Sequence, residues 1–223
     1  MAGNDFKIKF RLSPSSLNLM KDCPRCFWLE KHRVWKRPSG IFPSLPSGMD
    51  KILKEHFDRF REQNKLPPEL CDSKDCEGTT LFKNKELLKI WQNNFKGISW
   101  TDEKGNTLSG AVDNILQKGS KLIVLDYKTR GFELKEDTHE HYQNQLDLYN
   151  FLLMKNGHKI EDFALLLFYV PSKVTESGQV IFNTTLKRMQ INIKNAEGLF
   201  KKAVSLLEGK CPEQGCEWCQ NFG

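Results

Sequence analysis

The chain has 223 residues, 39% hydrophobic and 28% charged, which is enough for one sizeable core in a single domain spanning 1–223. No apolar run approaches the roughly 18 to 20 residues that cross a bilayer, and Met1 to Lys7 lacks the basic-then-apolar order of a secretory signal, so neither membrane insertion nor export is expected, and a cytoplasmic, reducing location is. The net charge of +6 permits an anionic partner without requiring one.

Ser13-Pro14-Ser15-Ser16 opens a helix, because a hydroxyl can cap the first free amides and proline fits the first turn. After Asp22-Cys23-Pro24 a second short helix carries Phe27, Trp28 and Leu29. The proline- and glycine-bearing stretch from Arg37 to Gly48 reads as a loop. Ile52, Leu53, Phe57 and Phe60 then recur at helical spacing, so Met49 to Glu62 is predicted to be an amphipathic helix. Residues 65–82 read as an insertion or extended loop, followed by a helix from about Asn84 to Phe95.

The texture then changes. Ile98 to Trp100, Thr107 to Leu116 and Lys121 to Tyr127 read as three antiparallel strands, joined by Glu103-Lys104-Gly105-Asn106 and Gln117-Lys118-Gly119-Ser120 as hairpin turns. A helix from about Glu140 to Met154, strands Phe163 to Val170 and Gln179 to Thr184, a helix from Ile191 to Leu207 and a cysteine-rich tail complete the chain. Helix, three strands, helix, strand is the order of an α/β or α+β fold with a central mixed sheet.

Gly110-Ala-Val-Asp113 places one acid near the middle of a strand, and Leu122-Ile-Val-Leu-Asp126-Tyr127-Lys128 places an acid and a lysine at the end of the next. Side chains two apart on a strand share a face, so Asp126 and Lys128 point together while Tyr127 points away. Pairing of the hairpin brings Asp113 alongside Asp126. Two carboxylates beside a lysine suit phosphodiester hydrolysis: hard oxygen ligands hold Mg²⁺ or Mn²⁺, and the amine orients a water or steadies developing charge. Taken alone, Asp-x-Lys also describes a surface ion pair at a strand end. Here it follows the apolar run Leu122 to Leu125, and charges delivered from a buried strand are costly unless paired or bound to metal.

These residues, with Gln145-Leu-Asp-Leu-Tyr149 downstream, resemble the RecB-like branch of the PD-(D/E)XK nuclease superfamily, which includes CRISPR adaptation nucleases and the nucleases of DNA-end-processing helicase assemblies. The resemblance extends to Ser15 to Leu29 and implies a restriction-endonuclease-like core, a central mixed β-sheet flanked by helices. It implies a metal-dependent deoxyribonuclease, an exonuclease on single-stranded or end-containing DNA, working with a helicase or other nucleic-acid-processing proteins. Asp113, Asp126 and the Tyr127 carbonyl would hold Mg or Mn, and Lys128 would position the water. Gln145 and Tyr149, one helical turn apart, would orient the lysine or touch phosphate, and Arg130 would meet the DNA backbone. A catalytically idle nucleic-acid-binding or scaffold subunit, or a zinc-stapled interaction module of the same fold, is the alternative. Many relatives carry a metal-ligating histidine four residues after a glycine in the early helix. Here Gly48 is followed at that distance by Ile52, which leaves His56, one turn further, as a substitute ligand or a packing residue; His139 and His141 are placed near substrate or solvent.

The resemblance also implies a [4Fe-4S] cluster on Cys23 from the N-terminal segment (about 13–35) and Cys211, Cys216 and Cys219 from the C-terminal segment (about 208–223), packing the two segments together. Two Cys-x-x-Cys hooks, Cys23 with Cys26 and Cys216 with Cys219, give a four-thiolate zinc site as a second reading, and unligated thiols are a third. Cys71 and Cys76 read as plain loop cysteines.

Overall fold

The structure, a computed structural model, describes residues 9–40 and 43–220. A two-residue strand β1 (Arg11–Leu12) leads into α1 (Pro14–Asp22), whose first amides are closed by a reciprocal capping box between Ser13 and Ser16. Cys23 ends α1 and caps α2 (Pro24–Lys31), its sulphur accepting the Cys26 N–H. The next helix, α3 (Ser44–Glu62), begins earlier than its periodicity predicts: its first turn absorbs Pro46, and Gly48 follows within the helix. Proline is tolerated there because the first amides of a helix have no partner within it.

The expected insertion at 65–82 is instead built of a short helix α4 (Pro68–Cys71), a 3₁₀ turn (Lys74–Cys76) and strand β2 (Thr80–Leu81). Helix α5 (Lys85–Trp91), capped by Asn84, stops short of the predicted Phe95. Strands β3 (Ile98–Thr101), β4 (Thr107–Gly110), β5 (Asn114–Lys118) and β6 (Lys121–Thr129) follow. A 3₁₀ turn (Thr138–Tyr142) enters α6 (Gln143–Lys155). The chain then forms β7 (Lys159–Ile160), the long hairpin β8 (Phe163–Val174) and β9 (Val180–Gln190), and α7 (Ile193–Glu208).

The strands form two sheets. A small one has the order β1-β4-β3, and a larger one the order β2-β5-β6-β8-β9, with β7 beside β6. The larger sheet is mixed: β5–β6 and β8–β9 are antiparallel and β6–β8 is parallel. In β6 and β8 alternate side chains enter different cores. Leu122, Val124, Ala164, Leu166 and Phe168 pack with α6 and α7. Ile123, Leu125, Tyr127, Leu165 and Leu167 pack on Met49, Leu53 and Phe57 of α3. Both strands are covered on both faces, which is why they read as nearly unbroken apolar runs. Each large side chain so buried contributes roughly 1.5–3 kcal/mol of transfer free energy, and the layering holds β6 rigidly at the centre of the protein.

Candidate functional site

The acid pair lies at the end of β6. In the β5–β6 ladder Asn114 stands opposite Leu125, so continuation of the register sets Asp113 opposite Asp126. Asp113 Oδ2 accepts the Tyr127 N–H at 2.8 Å, and the Lys128 ammonium stands 2.5 Å from Asp126 Oδ2. The alternation predicted for Asp126-Tyr127-Lys128 holds: the Tyr127 hydroxyl lies on the α3 side, accepting the Asn114 side-chain amide at 2.6 Å. An extended residue directs its N–H and C=O to the same edge, so the Tyr127 carbonyl faces the edge at which Asp113 sits.

Asp113 is not inside a strand. The predicted strand Thr107–Leu116 breaks after Gly110, and residues 111–113 carry the chain from the small sheet to the large one. The end of α5 takes the backbone groups at the break: Val112 N–H donates to the Trp91 carbonyl at 3.1 Å, and the Gln92 amide donates to the Asp113 carbonyl at 2.6 Å. Next to the acid, Asn114 accepts from Arg61 Nη2 at 2.6 Å, while Arg61 Nε donates to the Phe82 carbonyl at 2.8 Å and its other nitrogen pairs with Asp58. A buried arginine thus locks the corner that aims Asp113.

Burial pushes the Asp113 carboxyl up to about 7, with repulsion from Asp126 adding to it and Lys128 and Lys54 working against it. Asp126 is also raised by burial, with Lys128 opposing. Burial lowers the Lys128 ammonium, but the two carboxylates outweigh it and the net shift is upward. Asp126 Oδ2 is buried and receives no well-directed hydrogen bond despite the nearby ammonium. Two crowded carboxylates with an oxygen left over and a backbone carbonyl at the same edge form a hard-oxygen donor set that fits a divalent cation.

From Lys128 a chain of polar contacts runs onto α6. Lys128 Nζ donates to Gln145 Oε1 at 3.0 Å, and Gln145 Nε2 donates to the Tyr149 hydroxyl at 2.7 Å. Burial, reinforced by Asp126 and Asp113, holds the Tyr149 phenol above its ordinary range. Gly110 is required for this arrangement, because a Cβ there would lie 2.7 Å from Tyr149 Cε1. Gln145 and Tyr149 line a cleft of about 340 Å³ shared with Ser13, Ser15, Lys96 and Gly110. Arg130, just beyond β6, reaches the Tyr142 hydroxyl at 3.4 Å, and Lys128 lies 4.6 Å above the Tyr142 ring centre.

His56 is not brought to the acid pair. It contacts Glu69 of α4 at 3.1 Å and packs edge-on to Phe60, and among the described residues no group of three carboxylate, imidazole or thiolate ligands forms around Asp113 and Asp126. The same helix offers Asp50 and Lys54 instead, which periodicity did not single out. Lys54 Nζ lies 2.8 Å from Asp50 Oδ2 and 3.8 Å from Asp113 Oδ1, and Asp50 adds to the field that raises both site acids. His139 lines a separate surface depression with Arg188 and Gln190.

Of the cysteines, Cys23, Cys26, Cys216 and Cys219 converge, with every sulphur within 4.8 Å of the others. Cys211, expected as a cluster ligand, stands outside this group near Arg25 Nη1 at 3.8 Å, and Cys26 takes the fourth place. The tail folds back so that Gly215 touches Cys219, which turns the two Cys-x-x-Cys hooks toward each other and leaves Cys211 to one side. Cys76 is buried in the α3-side core, and Cys71 is exposed, its thiol donating to the Leu66 and Pro67 carbonyls.

A mixed sheet that sets two acids and a lysine at the end of one hairpin, with a glutamine and a tyrosine from the following helix, defines a restriction-endonuclease-like protein of nuclease type. The chain belongs to the PD-(D/E)XK nuclease superfamily, whose family model matches residues 11–221, nearly its whole length. Comparison with curated proteins returned no match. Among the described residues no helix is long and apolar enough to cross a membrane.

Proposed function

We propose that the chain is a cytoplasmic, Mg²⁺- or Mn²⁺-dependent deoxyribonuclease that hydrolyses phosphodiesters in single-stranded or end-containing DNA. The observation that carries this reading is the pairing of half-buried Asp113 and buried Asp126 beside the Lys128 ammonium. Asp113, Asp126 and the Tyr127 carbonyl would hold the ion, and Asp50 adds negative charge from α3. A bound divalent cation supplies Lewis-acid polarisation of the scissile phosphate and a more acidic water.

The remaining chemistry falls to the side chains. Lys128 is held charged by the two acids and fixed by Gln145, so it can orient the attacking water and stabilise charge developing on the phosphate. Tyr149 stays protonated and is a donor toward the cleft. Lys96 on the cleft wall and Arg130 beyond β6 supply positive charge for the flanking backbone, a sequence-independent attraction that weakens with salt. No covalent enzyme intermediate is needed.

The test is end-labelled single- and double-stranded DNA incubated with Mn²⁺ or Mg²⁺. The parent is expected to degrade it, and Lys128→Ala to lose that activity while keeping its circular dichroism. A mutant that digests DNA as fast as the parent would overturn the assignment, and a parent inert with every substrate and metal would favour a binding subunit.

A further inference from the structure

We propose that Cys23, Cys26, Cys216 and Cys219 bind one tetrahedral Zn²⁺ ion that fastens the first two helices to the C-terminal segment, in place of the four-iron cluster implied by the resemblance. This inference is independent of the nuclease reading.

The sulphur spacing decides the kind of centre. Cys23 and Cys219 lie 3.7 Å apart, Cys26 and Cys216 3.5 Å, and Cys216 and Cys219 3.9 Å. Four thiolates at about 2.3 Å from one zinc ion stand about 3.8 Å from each other, the edge of their tetrahedron. In a [4Fe-4S] centre each thiolate binds its own iron at a separate corner of a cubane, so the four sulphurs must stand further apart than they do around one ion. The observed separations fit one ion. They are also well beyond the roughly 2.05 Å of a disulfide.

The surroundings suit such an ion. Each hook is a Cys-x-x-Cys, and the first is wound at the start of α2, where Cys23 caps the helix and Cys26 follows one turn on. Zinc with four thiolates carries a net charge of minus two, and the Arg37 guanidinium lies against it, 3.2 Å from Cys216 Sγ and 3.5 Å from Cys26 Sγ. Gly215 makes room for the second hook: a Cβ at that position would lie 2.7 Å from Cys219 Sγ. The same junction is already closed on either side, by Trp28 Nε1 donating to the Gly209 carbonyl at 3.1 Å and by the His32 ring contacting the Leu207 carbonyl at 3.0 Å. Of the divalent ions available to a tetrathiolate pocket, zinc binds more tightly than ferrous iron and needs no redox partner.

The experiment uses the full chain, produced in medium supplied with both zinc and iron and purified anaerobically. Metal analysis is expected to give one zinc per chain in a colourless protein. Protein refolded with one equivalent of Co²⁺ should show the visible bands of a tetrahedral thiolate site, retained in Cys211→Ser and lost in Cys26→Ser. Four irons per chain with broad brown absorption, a single iron, or a metal-free protein that takes up no Co²⁺ would each overturn the proposal. So would loss of the Co²⁺ bands in Cys211→Ser, which removes no proposed ligand and so tests the ligand set even if Cys26→Ser fails to fold.

Discussion

Asp113→Asn should make the metal-free protein more stable while removing its activity. Asparagine keeps an oxygen for the Tyr127 N–H, which Asp113 accepts at 2.8 Å, so the corner retains its hydrogen bond and loses only a charge. Burial and Asp126 carry the Asp113 carboxyl from its ordinary 3.8 to about 7. Each tenfold change in a proton equilibrium is about 1.4 kcal/mol, so ionising this group in the folded chain costs at most about 4 kcal/mol. The side chain is 21% exposed, and the screening this allows reduces the expected effect to about 2 kcal/mol. The folded state holds this proton more tightly than the unfolded state, so the cost is absent below pH 4, grows between pH 4 and 7, and is complete above 7. Urea unfolding in EDTA should therefore show the variant and parent nearly equal at pH 3.5 and the variant about 2 kcal/mol more stable at pH 8, with no Mn²⁺-dependent DNA cleavage. A variant weaker than the parent at pH 8, or a difference independent of pH, would refute the reasoning.

Two further substitutions separate the site from its support. Gly110→Ala drives a methyl group into the Tyr149 ring, so turnover on labelled DNA should fall at least about tenfold with an overpacking cost of about 1–3 kcal/mol in urea unfolding. Asp147→Ala, one position from Leu146 on the opposite side of α6 from Tyr149, removes the buried acceptor of Gln143, Asn192 and Asn195; it should cost about 2–3 kcal/mol in the same measurement while Mn²⁺ affinity stays unchanged.

What could be read from the sequence followed from short-range geometry. A period of two put Asp126 and Lys128 on one face, and a helical turn put Gln145 beside Tyr149; the structure joins the first pair as an ion pair and the second through a hydrogen bond. The family match, 11–221, agrees with the resemblance those motifs carried. What could not be read depended on distant partners. Gly110-Ala-Val-Asp113 looks continuous with its strand, and only Trp91 and Gln92 at the end of α5 explain why it breaks. Asp50 and Arg61 both lie in the predicted helix but off its apolar stripe, where a charged side chain on an amphipathic helix looks like any solvated one. Cys26 and Cys211 were equivalent as text, and the path of the tail separates them.

The amide of Gln145 is a directional link. An ammonium has no lone pair to give, so the amide must turn its oxygen to Lys128 and its nitrogen to the phenol. Tyr149 answers with a lone pair and keeps its own hydrogen, which is left to point at whatever enters the groove. The polarity of that wall is therefore set two side chains away: neutralising the lysine would free the amide to rotate and turn a surface that offers hydrogens to an anion into one that offers oxygen.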